Sequence, residues 1–264
     1  MGDVVGGAGV DLITKHLVEL KEKYQSDFVI INGENACGGL GLDEDSYQAF
    51  LNAGADAVTL GNHYRSYKGL DRFIDNSNIV RPLNLINPYP GVGSKVFTAS
   101  NGVKVRVTNL LGKVLLKERV ENPYNVIMNV INNDHENVIH IVDYHAEATS
   151  EKKSIAYLLK DKVTAVIGTH THVQTNDAQL MDGIAYISDV GMCGLYNSSI
   201  GYPIKEVSER CFLNSDVRPV IPNEIDGYDG MINGVVIDVD EKSGRSRSIQ
   251  KVNELYLDNE NENY

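Results

Sequence analysis

The chain has 264 residues, 42% apolar and 23% charged, which suits a globular protein and excludes a disordered, collagen-like or fibrous one. Lys and Arg number 24 against 36 Asp and Glu, so the formal charge is −12, which argues against nucleic-acid binding through a broad basic face. Cys37, Cys193 and Cys211 form no disulfide framework, no apolar run approaches the ~18 residues of a membrane helix, and MGDVVGGAGVDL lacks the blocks of a signal peptide. A cytoplasmic protein with reduced thiols is expected, with no membrane partner and one domain over residues 1–264.

Taken in chain order, Gly6, Gly7 and Gly9 read as a tight turn, lacking both the Lys of a P-loop and a full G-x-G-x-x-G spacing. Val10, Ile13, Leu17, Leu20 and Tyr24 fall on one face of a helix. FVII (28–31) is a short β-branched run, hence a buried strand. A helix over 43–52 is expected with Asp43 as its cap, then a strand AVTL over 57–60. Residues 95–111 read as a hairpin around Asn101-Gly102, the preferred residues of a two-residue turn. Pro123 opens a helix to about Ile131, VIHIV (138–142) is a strand, and a helix over 150–159 is capped by Thr149 or Ser150. TAVI (164–167), AYISDV (185–190) and GVVIDVD (234–240) are further strands, EKSG (241–244) is a turn, and the tail LDNENENY is expected to fray. Alternating strands and helices give an α/β fold with a mixed or partly parallel sheet, and the strand-rich later part makes a second sheet plausible.

The chemistry lies in the short segments directly after the strands. FVII runs into Asn32-Gly33-Glu34-Asn35, AVTL into Gly61-Asn62-His63, VIHIV into Asp143-Tyr144-His145, and TAVI into Gly168-Thr169-His170-Thr171-His172. Ligands of open α/β sheets sit beyond the carboxyl ends of strands, so parallel strands would gather these segments. Asp3, ahead of the glycine-rich turn, would join them. In an extended segment His170 and His172 would point to the same side. Seven or eight N and O donors are too many for one ion but suit two, with a carboxylate bridging. Several imidazoles argue against Ca²⁺ or Mg²⁺, and the lack of thiolates against structural zinc, leaving Mn, Fe, Zn or Ni. His16, His135 and His140 read as ordinary structural histidines, and Cys37 as a bystander thiol.

The order GD, GEN, GNH, lone His, GTHTH resembles the calcineurin-like metallophosphoesterases, with Val5 and Glu34 where the general pattern has His and Asp. Together with VIINGENACGG, RPLN, DYHAEATSEK, GTHTHVQT and ISDVGMCG, the chain resembles the YmdB-like branch of that family, from Gly2 to about Val239. The resemblance implies a two-sheet α/β sandwich flanked by helices. Only Met1 and Gly2 precede Asp3, so the N-terminal strand of the family is expected to be missing. It implies one metal held by Asp3, Glu34, Asn35 and His172, and a second held by Glu34, Asn62, His145 and His170. Glu34 would bridge and His63 would be the general acid. It further implies two transition-metal ions, iron first with Mn or Zn as substitutes, and hydrolysis of small phosphodiesters such as 2′,3′- or 3′,5′-cyclic nucleotides. Chemically, a hydroxide shared by two cations would attack phosphorus while His63 protonates the leaving oxygen. A weakly catalytic metal- or nucleotide-binding regulator and a phosphomonoesterase are the alternatives. The expected partner is a small phosphodiester, not a nucleic acid lying along an extended groove, and a homo-oligomer stays open.

Overall fold

The computed structural model describes residues 1–134 and 139–258. His135, the first residue of VIHIV and the end of the acidic tail lie outside the described residues. The chain begins β1 (Asp3–Val5), α1 (Gly6–Tyr24), β2 (Ile30–Asn35), α2 (Glu44–Asn52), β3 (Ala57–Thr59) and β4 (Ile79–Val80). It continues β5 (Ser94–Thr98), β6 (Lys104–Leu111), α3 (Pro123–Asn132), β7 (Ile139–His145), α4 (Thr149–Leu159), β8 (Ala165–Thr169), β9 (Gln179–Met181) and β10 (Ile184–Ile187). After β11 (Met192–Leu195) come a small hairpin, β12 (Ser198–Ser199) with β13 (Tyr202–Pro203), and α5 (Ile204–Phe212). A long hairpin, β14 (Gly230–Val239) with β15 (Ser246–Tyr256), comes last.

The strands form two main sheets. The first has the order β15-β14-β11-β1-β2-β3-β4 and the second β5-β6-β7-β8-β10-β9. The strands from β11 to β4 run parallel, as do β6, β7, β8 and β10; antiparallel strands close every edge except that formed by β4. Ala57 and Val80 of the first sheet meet Phe97, Val105 and Val107 of the second in an apolar layer between them. Leu12, Ile13, Leu17 and Leu20 of α1 and Phe50 of α2 cover the outer face of the first sheet. Ile127 of α3 and Ile155, Ala156 and Leu159 of α4 cover the second. Each such Leu or Ile contributes roughly 1.5–3 kcal/mol by leaving water. This is the expected two-sheet sandwich.

The expectation of a missing N-terminal strand is corrected. β1 stands at the centre of the seven-stranded sheet and starts at Asp3 itself. Its short upstream segment is enough because it pairs on both sides. The Met1 ammonium donates to Ile30 O at 2.8 Å, Gly2 N to Asn233 O at 3.0 Å and Asp3 N to Gly191 O at 3.1 Å. Buried, β-branched Val4 and Val5 complete the strand.

Other boundaries also move. The glycines read as a turn form the first turns of α1, where a side chain on Gly9 would press within 2.6 Å of Cys193 O in β11. β2 begins later than FVII and takes in the polar residues NGEN. Ala99 N donates to Val103 O at 2.9 Å, so the hairpin turn spans 100–102 and is longer than two residues. Asp43 caps α2 as expected, accepting from Ser46 N at 2.9 Å. The cap expected at Thr149 or Ser150 is absent: Ala148 holds the N-cap of α4. Glu151 in its first turn instead accepts from the backbone N–H groups of Lys113 and Val114, at 2.7 and 3.2 Å. No helix among the described residues is long and apolar enough to cross a membrane.

Candidate metal centre

Asp3 at the start of β1 and the carboxyl ends of β2 and β3 in one sheet face the carboxyl ends of β7 and β8 in the other, and the chemistry collects between them. The expected segments therefore meet across two sheets rather than along one. Asn32 of β2 bridges the sheets beneath the site, its Nδ2 donating to Asp143 Oδ2 of β7 at 3.1 Å. Asp3, Glu34 and His145 are buried, as is Asn35. His145 Nε2 lies 3.0 Å from each of Glu34 Oε1, Asn62 Oδ1 and His170 Nδ1. Asn35 Nδ2 lies 3.1 Å from His172 Nε2 and 3.3 Å from Glu34 Oε1, so ligation through its oxygen needs the amide turned over. All seven candidate ligands are thus linked in one cluster. His63 adjoins it through its backbone N–H, which donates to Glu34 Oε2 at 3.0 Å, while its ring Nδ1 meets Ser66 Oγ at 3.2 Å.

Each imidazole of the cluster has its outer nitrogen engaged. Thr169 Oγ1 donates to Asp143 Oδ1 at 2.7 Å, so it must accept from His145 Nδ1, 2.9 Å away. His170 Nε2 lies 3.1 Å from Glu147 Oε2, and His172 Nδ1 donates to Ile200 O at 2.9 Å. With neutral rings, those bonds place the protons outside and turn Nε2 of His145, Nδ1 of His170 and Nε2 of His172 inward as donors for a cation; without one, His145 Nε2 carries a proton toward Glu34 Oε1 instead. Metal-ligating histidines are oriented by such outer partners.

The extended conformation expected for His170 and His172 is not found. Their φ angles are 108° and 64°, in the left-handed region that costs side-chain-bearing residues roughly 1–3 kcal/mol each. The turn that results brings His170 N to Asp3 Oδ2 at 3.2 Å and faces both rings toward the carboxylates.

Without cations, protons carry the compensating charge. Burial favours neutral Glu34, but His145 and the His63 N–H outweigh it and hold the carboxyl at about 2. Burial pushes Asp3 up to about 6 against the pull of His172 and His145. Burial would lower His145, yet Glu34, Asp3 and Asp143 raise it to about 9. Burial and the neighbouring His145 charge lower His170 to about 4.

The residues fit a pair of transition-metal ions. Asp3 Oδ1 is buried with no hydrogen-bond partner, 3.9 Å from both His145 Nδ1 and His172 Nε2. Ligand atoms of Glu34, His145 and His170 lie within 4.8 Å of one another. A side chain on Gly61 would run into Glu34 Oε2 and His145 Nε2, so the backbone leaves space where the donors converge. Imidazole, carboxylate and amide donors without thiolate suit Mn, Fe or Zn. Cys37 takes no part, and burial raises its thiol to about 11. His16 stacks on Tyr256 and His140 bonds Thr108, the structural roles expected of them.

Several supports escaped the sequence reading: Asn32, Asp143, Thr169, Glu147, Lys152 and Asp189. Lys152 and Asp189 do lie in DYHAEATSEK and ISDVGMCG, segments that carry the family resemblance.

The family described as YmdB-like protein matches residues 1–252. The chain belongs to the YmdB-like family. It is 38% identical over 255 residues to a 2′,3′-cyclic-nucleotide 2′-phosphodiesterase of Bacillus subtilis (strain 168), covering 96% of this chain and 94% of that protein. The crystal structure of a novel phosphatase from Mycoplasma pneumoniae shares the fold with a TM-score of 0.85 at 36% identity, covering 98% of this chain and 93% of that one. That of a hypothetical protein from Thermus thermophilus also has a TM-score of 0.85, at 31% identity, covering 97% and 98%. The chain therefore spans nearly the full length of these relatives, and the cluster lies wholly within the residues that the family matches.

Proposed function

We propose that this YmdB-like chain is a metal-dependent phosphodiesterase acting on small phosphodiesters, with 2′,3′- and 3′,5′-cyclic nucleotides as the substrate class. The observation that carries this reading is the inward-facing cluster of three imidazoles, two carboxylates and two amides, with every outer imidazole nitrogen already bonded. Asp3, Glu34, Asn35 and His172 would hold one ion, and Glu34, Asn62, His145 and His170 the other. Iron is the proposed metal, with Mn or Zn able to stand in. Bound ions would supply positive charge for the phosphoryl oxygens and acidify water.

The remaining roles belong to the protein's own groups. His63 directly follows a proposed ligand and is half-buried, so its ring can reach both the cluster and solvent. It would deliver a proton to the leaving oxygen, a role suited to an imidazole near neutral pH. Its backbone N–H, bonded to Glu34 Oε2, ties its segment to the residue that would bridge the ions. Both sheets share the site, which supports reading the chain as one domain. Three free cysteines support a reducing cytoplasm as the place of action.

A substrate panel on the metal-loaded protein tests this reading. Turnover of 2′,3′-cyclic AMP, 3′,5′-cyclic AMP or bis-p-nitrophenyl phosphate should exceed that of p-nitrophenyl phosphate. Hydrolysis of the monoester alone would make the protein a phosphomonoesterase. Bound metal with no turnover of any diester would leave a binding regulator.

A further inference from the structure

We propose that Lys152 and Asp189 are positioning residues for both cations, because together they lock the loop that presents His170 and His172. The inference rests on the metal reading of the site. Neither residue is a ligand in that reading, and the Lys152 ammonium has no lone pair to offer.

Lys152 lies near the start of α4, fully buried, and its Nζ donates to Thr169 O at 2.8 Å and to Asp189 Oδ2 at 2.8 Å. Asp189 lies between β10 and β11, on the far side of the loop. Its Oδ2 also accepts from Thr171 N at 2.9 Å, and its Oδ1 from Gly191 N at 2.9 Å. Asp3 Oδ2 takes His170 N. Three successive residues, 169 to 171, thus each have a backbone group tied to a charged side chain. The two imidazoles follow from that path: His170 sits inside the tied stretch and His172 directly after it.

A purely structural role explains this arrangement less well. Burying an ion pair costs desolvation that an apolar pair of similar size would avoid, so the pair is poor evidence of stability alone. What an apolar pair cannot do is bond a carbonyl and an amide on either side of His170. Both groups lie at the turn where two side-chain-bearing residues adopt left-handed φ angles. Glu147 and Ile200 O fix the rings from outside, and Lys152 with Asp189 fixes the backbone beneath them.

The test uses the full chain, stripped of metal and titrated with Mn²⁺, as wild type, Lys152→Met and Asp189→Asn. Arg106→Met is the control, since it breaks the Arg106–Asp134 ion pair, at 2.6 Å, where β6 and β7 begin. Mn²⁺ affinity, Mn²⁺ per chain and the Tm of the metal-free protein are measured. Lys152→Met and Asp189→Asn should weaken both Mn²⁺ sites by roughly 10–100-fold, as losses of outer-shell support do, while Arg106→Met lowers Tm and keeps wild-type affinity. Asp189→Asn retains an oxygen for Thr171 N, so it carries the test if Lys152→Met does not fold. Unchanged affinity in the two loop variants would overturn the inference and leave the metal reading standing. An affinity loss in Arg106→Met as large as theirs would overturn it too, by showing that affinity merely tracks stability. Failure of wild type to bind Mn²⁺ would overturn both.

Discussion

Asp3, Glu34 and Asn35 sit inside the hydrogen-bonded ladder of the first sheet, whereas His170 and His172 lie just past the end of β8 in the second. The oxygen donors inherit their positions from strand pairing: Asp3 is in register with Asn32 of β2 and Met192 of β11. The two histidines have no ladder to hold them and adopt φ angles that ordinary side chains disfavour. Their placement depends on anchors from elsewhere, namely Lys152, Asp189, Glu147 and Ile200. One half of the site is thus a by-product of sheet formation, while the other is assembled by polar contacts, buried at Lys152 and Asp189 and exposed at Glu147 and Ile200. Damage to the second half can come from a residue that touches no metal.

The largest effect expected tests the oxygen half. Glu34→Ala removes the only residue assigned to both ions, so elemental analysis should find fewer than two metals per chain. Diester hydrolysis should fall by more than the roughly 100-fold upper range of outer-shell changes. Two metals retained in that variant would sink the bridging role. His63→Ala separates chemistry from metal binding. Metal content should stay at wild type while kcat drops by roughly 10²–10⁴-fold, the usual contribution of a general acid; full activity with both metals bound would remove His63 from the mechanism.

The pH dependence of the metal-free protein probes the charge balance between the halves. His145 is raised to about 9 in the folded chain, against about 6.5 for an unperturbed imidazole. A raised pKa gives stability that is fully present below pH 6.5 and lost as pH climbs through 9. The metal-free Tm should therefore fall over that window, and bound cations, which replace the proton, should flatten the decline. A metal-free Tm that rises from pH 6.5 to 9 would contradict this balance. The smallest effect belongs outside the site. α5 has no buried residue and Phe212 is 81% exposed, so Phe212→Ser should change stability by no more than about 0.5 kcal/mol and leave metal affinity alone.

The same contrast explains how much was legible in the sequence. α1 to α4 and the apolar strands over 139–142 and 165–167 carry a clear period, because each buries one face or both. α5 does carry a helical period, with Ile204, Val207, Cys211 and Phe212 on one face, yet it buries none of them and was missed. β15 reads SRSIQKVNELY, an edge strand with mixed polarity and little apolar alternation. β2 was misplaced because its last four residues, NGEN, are polar for the sake of the site. The ligand set was legible because it consists of chemically distinctive residues directly after strands. The anchors were not: Lys152 meets Thr169 and Asp189 only once α4 has packed across β8, and no local spacing announces that contact. The strained turn at His170 was hidden for a related reason, since side-chain-bearing residues give no hint of a positive φ.

Elemental analysis of the purified protein, alongside hydrolysis of bis-p-nitrophenyl phosphate, decides whether the two halves, with Asn62 and His145 between them, hold two transition-metal ions for phosphodiester hydrolysis. Close to two ions per chain with turnover is the predicted result. One ion or none, with no turnover after addition of Mn²⁺ or Fe²⁺, would contradict it.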